Sequence, residues 1–453
     1  MDFHGKTVLV IGAGISGFAA AKIAKDMGAR AILSDAKAES DIHQDFEELR
    51  QRGIETVFGP QKAEMLEPVD LVIVSPAVPV SIPIIREAKE RGIPVMSEVE
   101  LAGRLAKSPI CAVTGTNGKT TTVTLLGLLL ETHYQKVGVG GNIGIPLSEE
   151  ALRIGEEGCI AAEISSYQME ATGTFHPHVS VVLNVTPDHI LRHGSMEVYQ
   201  QMKERMFAEG TIEDYLVLNY DDPRTRSMKE RAHSQVAFFS RREDLESGAC
   251  LKGDLLVLRW QGKEHPLCRI SELGIKGGHN VENALAASLA AFFAGAEPEK
   301  MVRVLKSFRG VEHRIEYVRD VAGVPYYNDS KATNTDSAIK ALETFPGHII
   351  LLAGGDDKMT DLTEFMSLVK ERVEELILLG DGAKRFHDDA VALGFPEERI
   401  HEAGYSMEKA VSIAYGLASP PQVVLLSPAC ASFDMYSGFE ERGRDFKRMV
   451  NNL

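Results

Sequence analysis

The chain has 453 residues, 44% hydrophobic and 25% charged, the balance of an ordinary soluble globular protein with room for two or three domains. Its 49 basic residues against 65 acidic ones leave a net charge of −16, which argues against nucleic-acid or anionic-membrane binding and leaves any anionic ligand to a local site. Five cysteines without a C-x-x-C, no basic-then-apolar leader and no apolar run of about 18 residues give the expectation of a cytoplasmic protein with reduced thiols.

Lys6 to Ile11 is a β-branched apolar run that predicts a buried strand, and Gly12-Ala-Gly14-Ile15-Ser16-Gly17 follows at once. Phe18 to Met27 reads as an Ala-rich helix closed by Gly28, and Ala31 to Asp35 as a second strand ending in an acid. This is the dinucleotide fingerprint in its strand–turn–helix–strand setting, which taken alone points to NAD. The physics is broader. A tight turn, close backbone approach and a helix N-terminus suit any diphosphate, and Asp35 can accept from a ribose or a base N–H. A strand over 69–75 runs into Ser75-Pro-Ala-Val-Pro79, beyond the carboxyl end where ligands of doubly wound sheets sit. This part reads as a Rossmann-like nucleotide-diphosphate domain, with cofactor and substrate both open.

Glu98 to Leu105 reads as a helix, with a domain boundary near 100–108. Then comes P-I-C-A-V-T-G-T-N-G-K-T-T-T from Pro109 to Thr122, with a buried strand over Ile110 to Val113 and a helix starting at Val123. A strand, a glycine loop, a Lys-Thr pair and a helix N-terminus form a phosphate cradle. Backbone N–H groups and the helix dipole face an anion, Lys119 adds a point charge, and the Thr120 hydroxyl can ligate Mg2+. Val113 stands where the full P-loop pattern asks for glycine, so the motif is a shorter form. Weighed against a plain turn with a solvated lysine, this context favours ATP binding.

A strand from Lys136 enters Gly140-Gly-Asn142-Ile-Gly144, a turn dense enough in glycine to bring backbone donors and the Asn142 amide beside a ligand. Cys159 to Ser166 is an apolar run interrupted by Glu163, a lone buried charge whose natural partner near a phosphate loop is Mg2+. Val179 to Val185 predicts another parallel strand, ending in Thr186-Pro-Asp188-His189. His176, His178, His189 and His193 invite a zinc reading, discounted because the neighbouring groups are carboxylate and amide. Met196 to Phe207 looks helical, and on pattern alone its Lys203 is solvated. Residues 213–275 alternate strand and turn signals and read as an α/β appendage of unread chemistry. Gly278-His-Asn280-Val-Glu-Asn283 opens an Ala-rich helix, with both amides on one side and capping accounting only for Asn280.

A second linker falls near 305–315, before Glu312-His-Arg314 is complete. Asn328-Asp329-Ser-Lys331-Ala-Thr333-Asn334 is a dense polar turn between a strand and a helix. Three later apolar runs (from His348, Glu375 and Val423) each end in a small-residue turn, the last carrying Cys430 and Ser432. The C-terminal part is expected to be a second doubly wound α/β unit.

Taken in series, G-T-N-G-K-T-T, G-G-N-I-G, the strand glutamate before I-S-S-Y-Q, N-V-T-P-D-H, G-H-N-x-x-N-A, E-H-R, N-D-S-K-A-T-N and L-S-P-A-C-A-S-F-D resemble the Mur ligase family across the whole chain. The first domain and S-F-D-M-Y-S-G-F-E-E-R-G look most like the branch that adds D-glutamate. The resemblance implies three α/β domains: Rossmann-like 1–103, P-loop ATPase-type 104–311 with a mostly parallel sheet, and Rossmann-like 312–453. It implies that UDP-N-acetylmuramoyl-L-alanine, not NAD, occupies the first domain, at Gly14, Ile15, Ser16, Asp35, Ala36, Lys37 and Ser75, with Asn142 and His189 reaching the same substrate. ATP would lie on Gly115, Thr116, Asn117, Gly118, Lys119, Thr120 and Thr121, with Asn280, Asn283, Arg314 and Asp329. Two Mg2+ ions are implied, held by Thr120, Glu163, His189 and a carbamylated Lys203. Lys119, Glu163, His189 and Lys203 would form the catalytic set, and Thr333, Lys358, Ser432 and Phe439 would receive D-glutamate. The implied reaction is ATP-driven amide formation through an acyl phosphate by a monomer, with hinges near 100–108 and 305–315. The alternatives are another acceptor amino acid within the family, an NAD-dependent oxidoreductase, or a non-catalytic nucleotide-binding regulator.

Overall fold

The computed structural model describes residues 1–453 except His43, His189, Lys276 and Lys358, and omits the side chains of Ile190, Leu191 and Asp336. The chain divides into two compact units, Met1–Phe308 and Arg309–Leu453. Three sheets are built on apolar runs covered on both faces, as parallel strands require.

The first unit begins with β1 (Thr7–Ile11), β2 (Arg30–Asp35), β3 (Glu55–Phe58), β4 (Leu71–Val74) and β5 (Val95–Ser97), in the order β3-β2-β1-β4-β5. Every pairing is parallel. The order reverses at β1, so the crevice beyond the carboxyl ends of β1 and β4 is the topological switch point. Val8, Val10 and Leu33 pack into one apolar layer and Leu9, Ile11 and Val72 into the other.

The second sheet comprises β6 (Ile110–Thr114), β7 (Lys136–Gly141), β8 (Gly158–Glu163), β9 (Val179–Val182), β10 (Tyr215–Asn219), β11 (Gln235–Ser240), β12 (Gly248–Lys252), β13 (Leu255–Trp260) and β14 (Lys263–Arg269). Their order is β14-β13-β12-β11-β10-β9-β6-β8-β7, antiparallel only at β12–β13 and β13–β14. Residues 213–275 are therefore no appendage: Tyr215 pairs with Val179, and the segment extends the central sheet by five strands. Two helix starts also move. The helices run Ile15–Asp26 and Lys119–Leu130, so Ser16, Thr120 and Thr121 belong to first helical turns.

The helix Glu98–Leu105 joins these two sheets inside the first unit. The Ser97 hydroxyl caps it, accepting from the Glu100 N–H at 3.2 Å. Glu98 is buried and accepts from the Ser148 N–H and hydroxyl at 2.6 and 2.5 Å. Glu100 accepts from the Gly173 and Thr174 N–H groups, each at 2.9 Å.

The second unit holds β15 (Glu316–Val321), β16 (Val324–Asn328), β17 (Ile349–Gly354), β18 (Val373–Leu379), β19 (Ile400–Gly404) and β20 (Val423–Leu426), ordered β15-β16-β20-β17-β18-β19. Only β15–β16 is antiparallel. All five cysteines are buried free thiols. Among the described residues no helix is long and apolar enough to cross a membrane.

Candidate active site

The first polar cluster lies at the carboxyl ends of β1, β2 and β4. Gly12 has φ +100°, and a Cβ there would come within 2.7 Å of the Ser75 Cβ and of Val78 Cγ2. A Cβ on Gly17 would lie 1.8 Å from the Gly12 carbonyl oxygen, so helix and loop touch backbone to backbone. Gly14 and Ile15 are exposed at the helix start, Ser16 is half-buried and Ser75 is buried. Asp35 accepts from the Ala13 N–H at 2.8 Å and from the Lys37 N–H at 2.9 Å. Its carboxylate thus shapes the glycine loop first, leaving only remaining lone pairs for a ligand. Ala36 and Lys37 beside it are exposed.

The second cluster is at the carboxyl ends of β6, β7, β8 and β9. Gly118 caps the helix Lys119–Leu130 in the left-handed region, at φ +82°. The Lys119 ammonium donates to the Gly115 and Thr116 carbonyls, both at 2.8 Å, which draws those oxygens inward. Asn184, at the end of β9, fixes the loop by accepting from the Asn117 N–H at 2.8 Å and donating to the Asn117 carbonyl at 3.2 Å. Thr120 is buried, Thr121 half-buried and Asn117 exposed.

Asn283 reaches this loop across a long sequence separation. Its Oδ1 accepts from the Thr122 hydroxyl at 3.2 Å and would lie 2.4 Å from a Cβ on Gly118. The cap of that helix, Gly278–Phe293, is Gly277 rather than Asn280. The Asn280 amide oxygen instead accepts from Asn283 Nδ2 at 3.1 Å.

Parallel register sets Glu163 beside Val113 at the end of β6. Glu163 is 2% exposed; one oxygen accepts from Asn142 Nδ2 at 2.8 Å, and the other is buried without a hydrogen-bond partner among the described residues. A buried carboxylate oxygen without such a partner is a natural ligand for a cation. The helix that follows the phosphate loop carries the buried Thr120 hydroxyl, and oxygen donors of these kinds suit a hard ion such as Mg2+. Lys203 is not solvated: it is 1% exposed, with its ammonium 4.3 Å from the Tyr199 ring centroid. Burial pushes the Tyr199 phenol up to about 12, and its hydroxyl lies 3.1 Å from the Thr116 hydroxyl, tying the Lys203 helix to the phosphate loop. His189 and Lys358 fall outside the described residues. His176 and His178 share Asp214, at 2.6 and 3.3 Å, before the starts of β9 and β10 and so at the opposite end of the sheet. Among the described residues no group of three or more His, Cys, Asp or Glu could hold a metal ion by itself.

The second unit has its own cluster at the ends of β16 and β20. Asp329 accepts from the Ser427 hydroxyl at 2.8 Å and from the Ile315 N–H at 3.1 Å. Burial raises its carboxyl to about 7 despite Ser427 and the charge of Arg314, which is itself exposed. Thr333 is half-buried and Ser432 buried. The Phe439 carbonyl accepts from the Ser330 hydroxyl at 2.8 Å, and its ring lies 5.8 Å from the Lys331 ammonium. Sequence reasoning missed Arg442. Its buried guanidinium donates to the Ser330 hydroxyl at 3.0 Å and to the Ala431 and Cys430 carbonyls at 2.9 and 3.1 Å, clamping two turns together. Burial draws it down to about 10. Nothing in G-F-E-E-R-G distinguishes such an arginine from a solvated one.

The N-terminal domain of MurD-like Mur ligases matches residues 6–97, the Mur ligase middle domain 113–291, and the Mur ligase glutamate ligase domain 313–430. This chain belongs to the Mur ligase family. Two similar Mur ligases carry the name UDP-N-acetylmuramoylalanine–D-glutamate ligase. That of a Thermoanaerobacter species is 44% identical over 453 residues, covering 100% of both chains. That of Pelotomaculum thermopropionicum is 47% identical, covering 100% of this chain and 99% of its own. In fold, this Mur ligase is similar to UDP-N-acetylmuramate-alanine ligase of Thermotoga maritima, with a TM-score of 0.55 at 20% identity over 99% of each chain. It is also similar to MurF from Acinetobacter baumannii, with a TM-score of 0.56 at 17% identity over 97% of this chain and 93% of that one.

Proposed function

We propose that this Mur ligase joins D-glutamate to UDP-N-acetylmuramoyl-L-alanine, forming ADP and phosphate, a step of peptidoglycan precursor synthesis. What supports the reading most is the full-length similarity to D-glutamate ligases together with a buried carboxylate, Glu163, one of whose oxygens has no hydrogen-bond partner among the described residues, beside a lysine-bearing phosphate loop. The alanine carboxylate attacks the γ-phosphorus of ATP, releasing ADP and leaving an acyl phosphate. The D-glutamate amine then attacks the acyl carbon and loses a proton, and the tetrahedral centre expels phosphate.

Gly14, Ile15, Ser16, Asp35, Ala36, Lys37 and Ser75 bind the UDP portion, with Asn142 and His189 toward the reacting end. Gly115 to Thr121 cradle the ATP phosphates; Lys119 trades its two loop carbonyls for phosphate oxygens and offsets repulsion between carboxylate and triphosphate. Asn280, Asn283, Arg314 and Asp329 complete the nucleotide contacts. Thr333, Lys358, Ser432 and Phe439 receive D-glutamate. Thr120, Glu163, His189 and a carbamylated Lys203 would hold two Mg2+ ions, which when bound neutralise charge on the phosphates. As an ammonium Lys203 cannot ligate a cation, whereas its carbamate is an anionic oxygen donor. The domain limits 103/104 and 311/312, a monomeric state and a cytoplasmic location belong to the same reading.

The test is ADP release with ATP, Mg2+ and UDP-N-acetylmuramoyl-L-alanine across a panel of amino acids. D-glutamate is the expected strong acceptor; equal or faster turnover with another amino acid contradicts the assignment.

A further inference from the structure

One arginine outside the sets above joins three parts of the first unit. Arg192 lies in the short helix Ile190–His193, three residues after His189. Its Nε and Nη2 fork onto the Glu170 carboxylate at 2.9 and 2.8 Å, and its guanidinium sits 4.9 Å from the Tyr167 ring centroid. Both partners belong to the segment that follows Glu163. Nη2 also donates to the Val78 carbonyl at 3.1 Å. Val78 closes the turn after β4, its N–H donating to the Ser75 carbonyl at 3.0 Å, and its side chain fills the space a Cβ on Gly12 would need. The arginine therefore touches the turn that shapes the crevice, while its own backbone belongs to the helix Ile190–His193.

A structural ion pair needs only Glu170. The third bond serves another purpose. A carbonyl accepts from a fixed direction, and a planar guanidinium already forked onto a carboxylate has one orientation left for it. A shift of the Ser75–Val78 turn on ligand entry must then move Arg192, Glu170 or both. Lysine, with a single point charge, cannot hold all three acceptors at these angles.

We propose that Arg192 is a positioning residue that couples occupancy of the crevice at β1 and β4 to the helix Ile190–His193, whose His193 ring lies 5.5 Å from that of Tyr199, the hydroxyl partner of Thr116 in the phosphate loop, so that the UDP-linked substrate tightens the nucleotide site. The inference rests on reading that crevice as the UDP site. The experiment uses the full chain and measures the affinity of a non-hydrolysable ATP analogue with Mg2+, with and without saturating UDP-N-acetylmuramoyl-L-alanine. Wild-type protein is expected to bind the analogue at least about fivefold more tightly with the UDP substrate present. Arg192→Met loses that enhancement while keeping the affinity for the analogue alone within about twofold, and Arg192→Lys restores only a minor part of it. Glu170→Gln, which keeps the arginine but frees it from its carboxylate, shows an intermediate loss and serves should Arg192→Met fail to fold. Equal enhancement in wild type and variants, no enhancement in wild type, or an equal loss of both affinities overturns the inference. Wild-type protein that does not bind the UDP substrate at all contradicts the functional reading instead.

Discussion

The two glycine loops of the first unit use the same backbone device for different ends. An apolar parallel strand gives way to glycine at positive φ, Gly12 after β1 and Gly115 and Gly118 after β6, and then to a helix N-terminus. What surrounds them differs. The β1 loop is held by a carboxylate: Asp35 accepts from Ala13, no lysine opens the helix that follows, and its neighbours are Ser75 and the exposed Ile15. The β6 loop is held by a cation, Lys119, and beside it lies a buried carboxylate oxygen with no hydrogen bond among the described residues. On the proposed reading, the first arrangement binds a diphosphate and leaves it alone. The second, on that reading, sets the Lys119 charge and a buried carboxylate oxygen where a phosphoryl group is to be moved. A glycine loop reports phosphate affinity; the side chains packed behind it decide whether chemistry follows.

The largest effect is expected where that contrast is sharpest. Lys119→Ala should lower ADP formation by about a thousandfold or more, since such clamps act on charge in transfer. Near-normal steady-state turnover would erase the distinction between the loops.

Next comes a strand end in the second unit with a buried carboxyl. Asp329 has a folded-state pKa of about 7 against an ordinary value of 3.8, so the folded chain keeps a proton that the unfolded chain gives up. Its stabilising contribution is full below about pH 4 and is lost as pH rises through about 7, at up to about 1.4 kcal/mol per pH unit. Asp329→Asn should remove that dependence, as followed by denaturant-dependent hydrogen exchange of peptides spanning residues 324–330 at pH 5 and pH 8. Parallel pH profiles in variant and wild type would mean that Asp329 is ionised throughout.

Gly118→Ala should cost about 2–3 kcal/mol in thermal or chemical unfolding, combining left-handed strain with the close approach to Asn283, and should weaken ATP binding. A fully stable variant would show that the loop has another resting shape. Asp35→Asn should be mildest: one backbone bond weakens at about 1 kcal/mol, KM for the UDP substrate rises severalfold and kcat is nearly unchanged. A kcat collapse would show that the β1 loop takes part in the chemistry.

The sequence already displayed the strands, because parallel strands buried on both faces are continuous apolar runs such as V-L-V-I and I-C-A-V. It also displayed both loops. It hid what depends on distant partners. Residues 213–275 looked detached because their edge is completed by β9, a pairing of Tyr215 with Val179 that no local pattern announces. The polar Lys119, Thr120 and Thr121 looked like loop, although a helix N-terminus accommodates such side chains readily. Lys203 and Arg442 were indistinguishable from solvated cations until packing buried them. Asn283 lies more than a hundred and fifty residues from the loop it touches.

The central claim is that one loop binds and the other reacts, and Lys119→Ala tests it most directly when binding and turnover are measured on the same preparation. Calorimetric titration with UDP-N-acetylmuramoyl-L-alanine should give an affinity within about twofold of wild type, while ADP release with all substrates present falls by about a thousandfold. Loss of UDP-substrate binding in step with turnover would contradict the account.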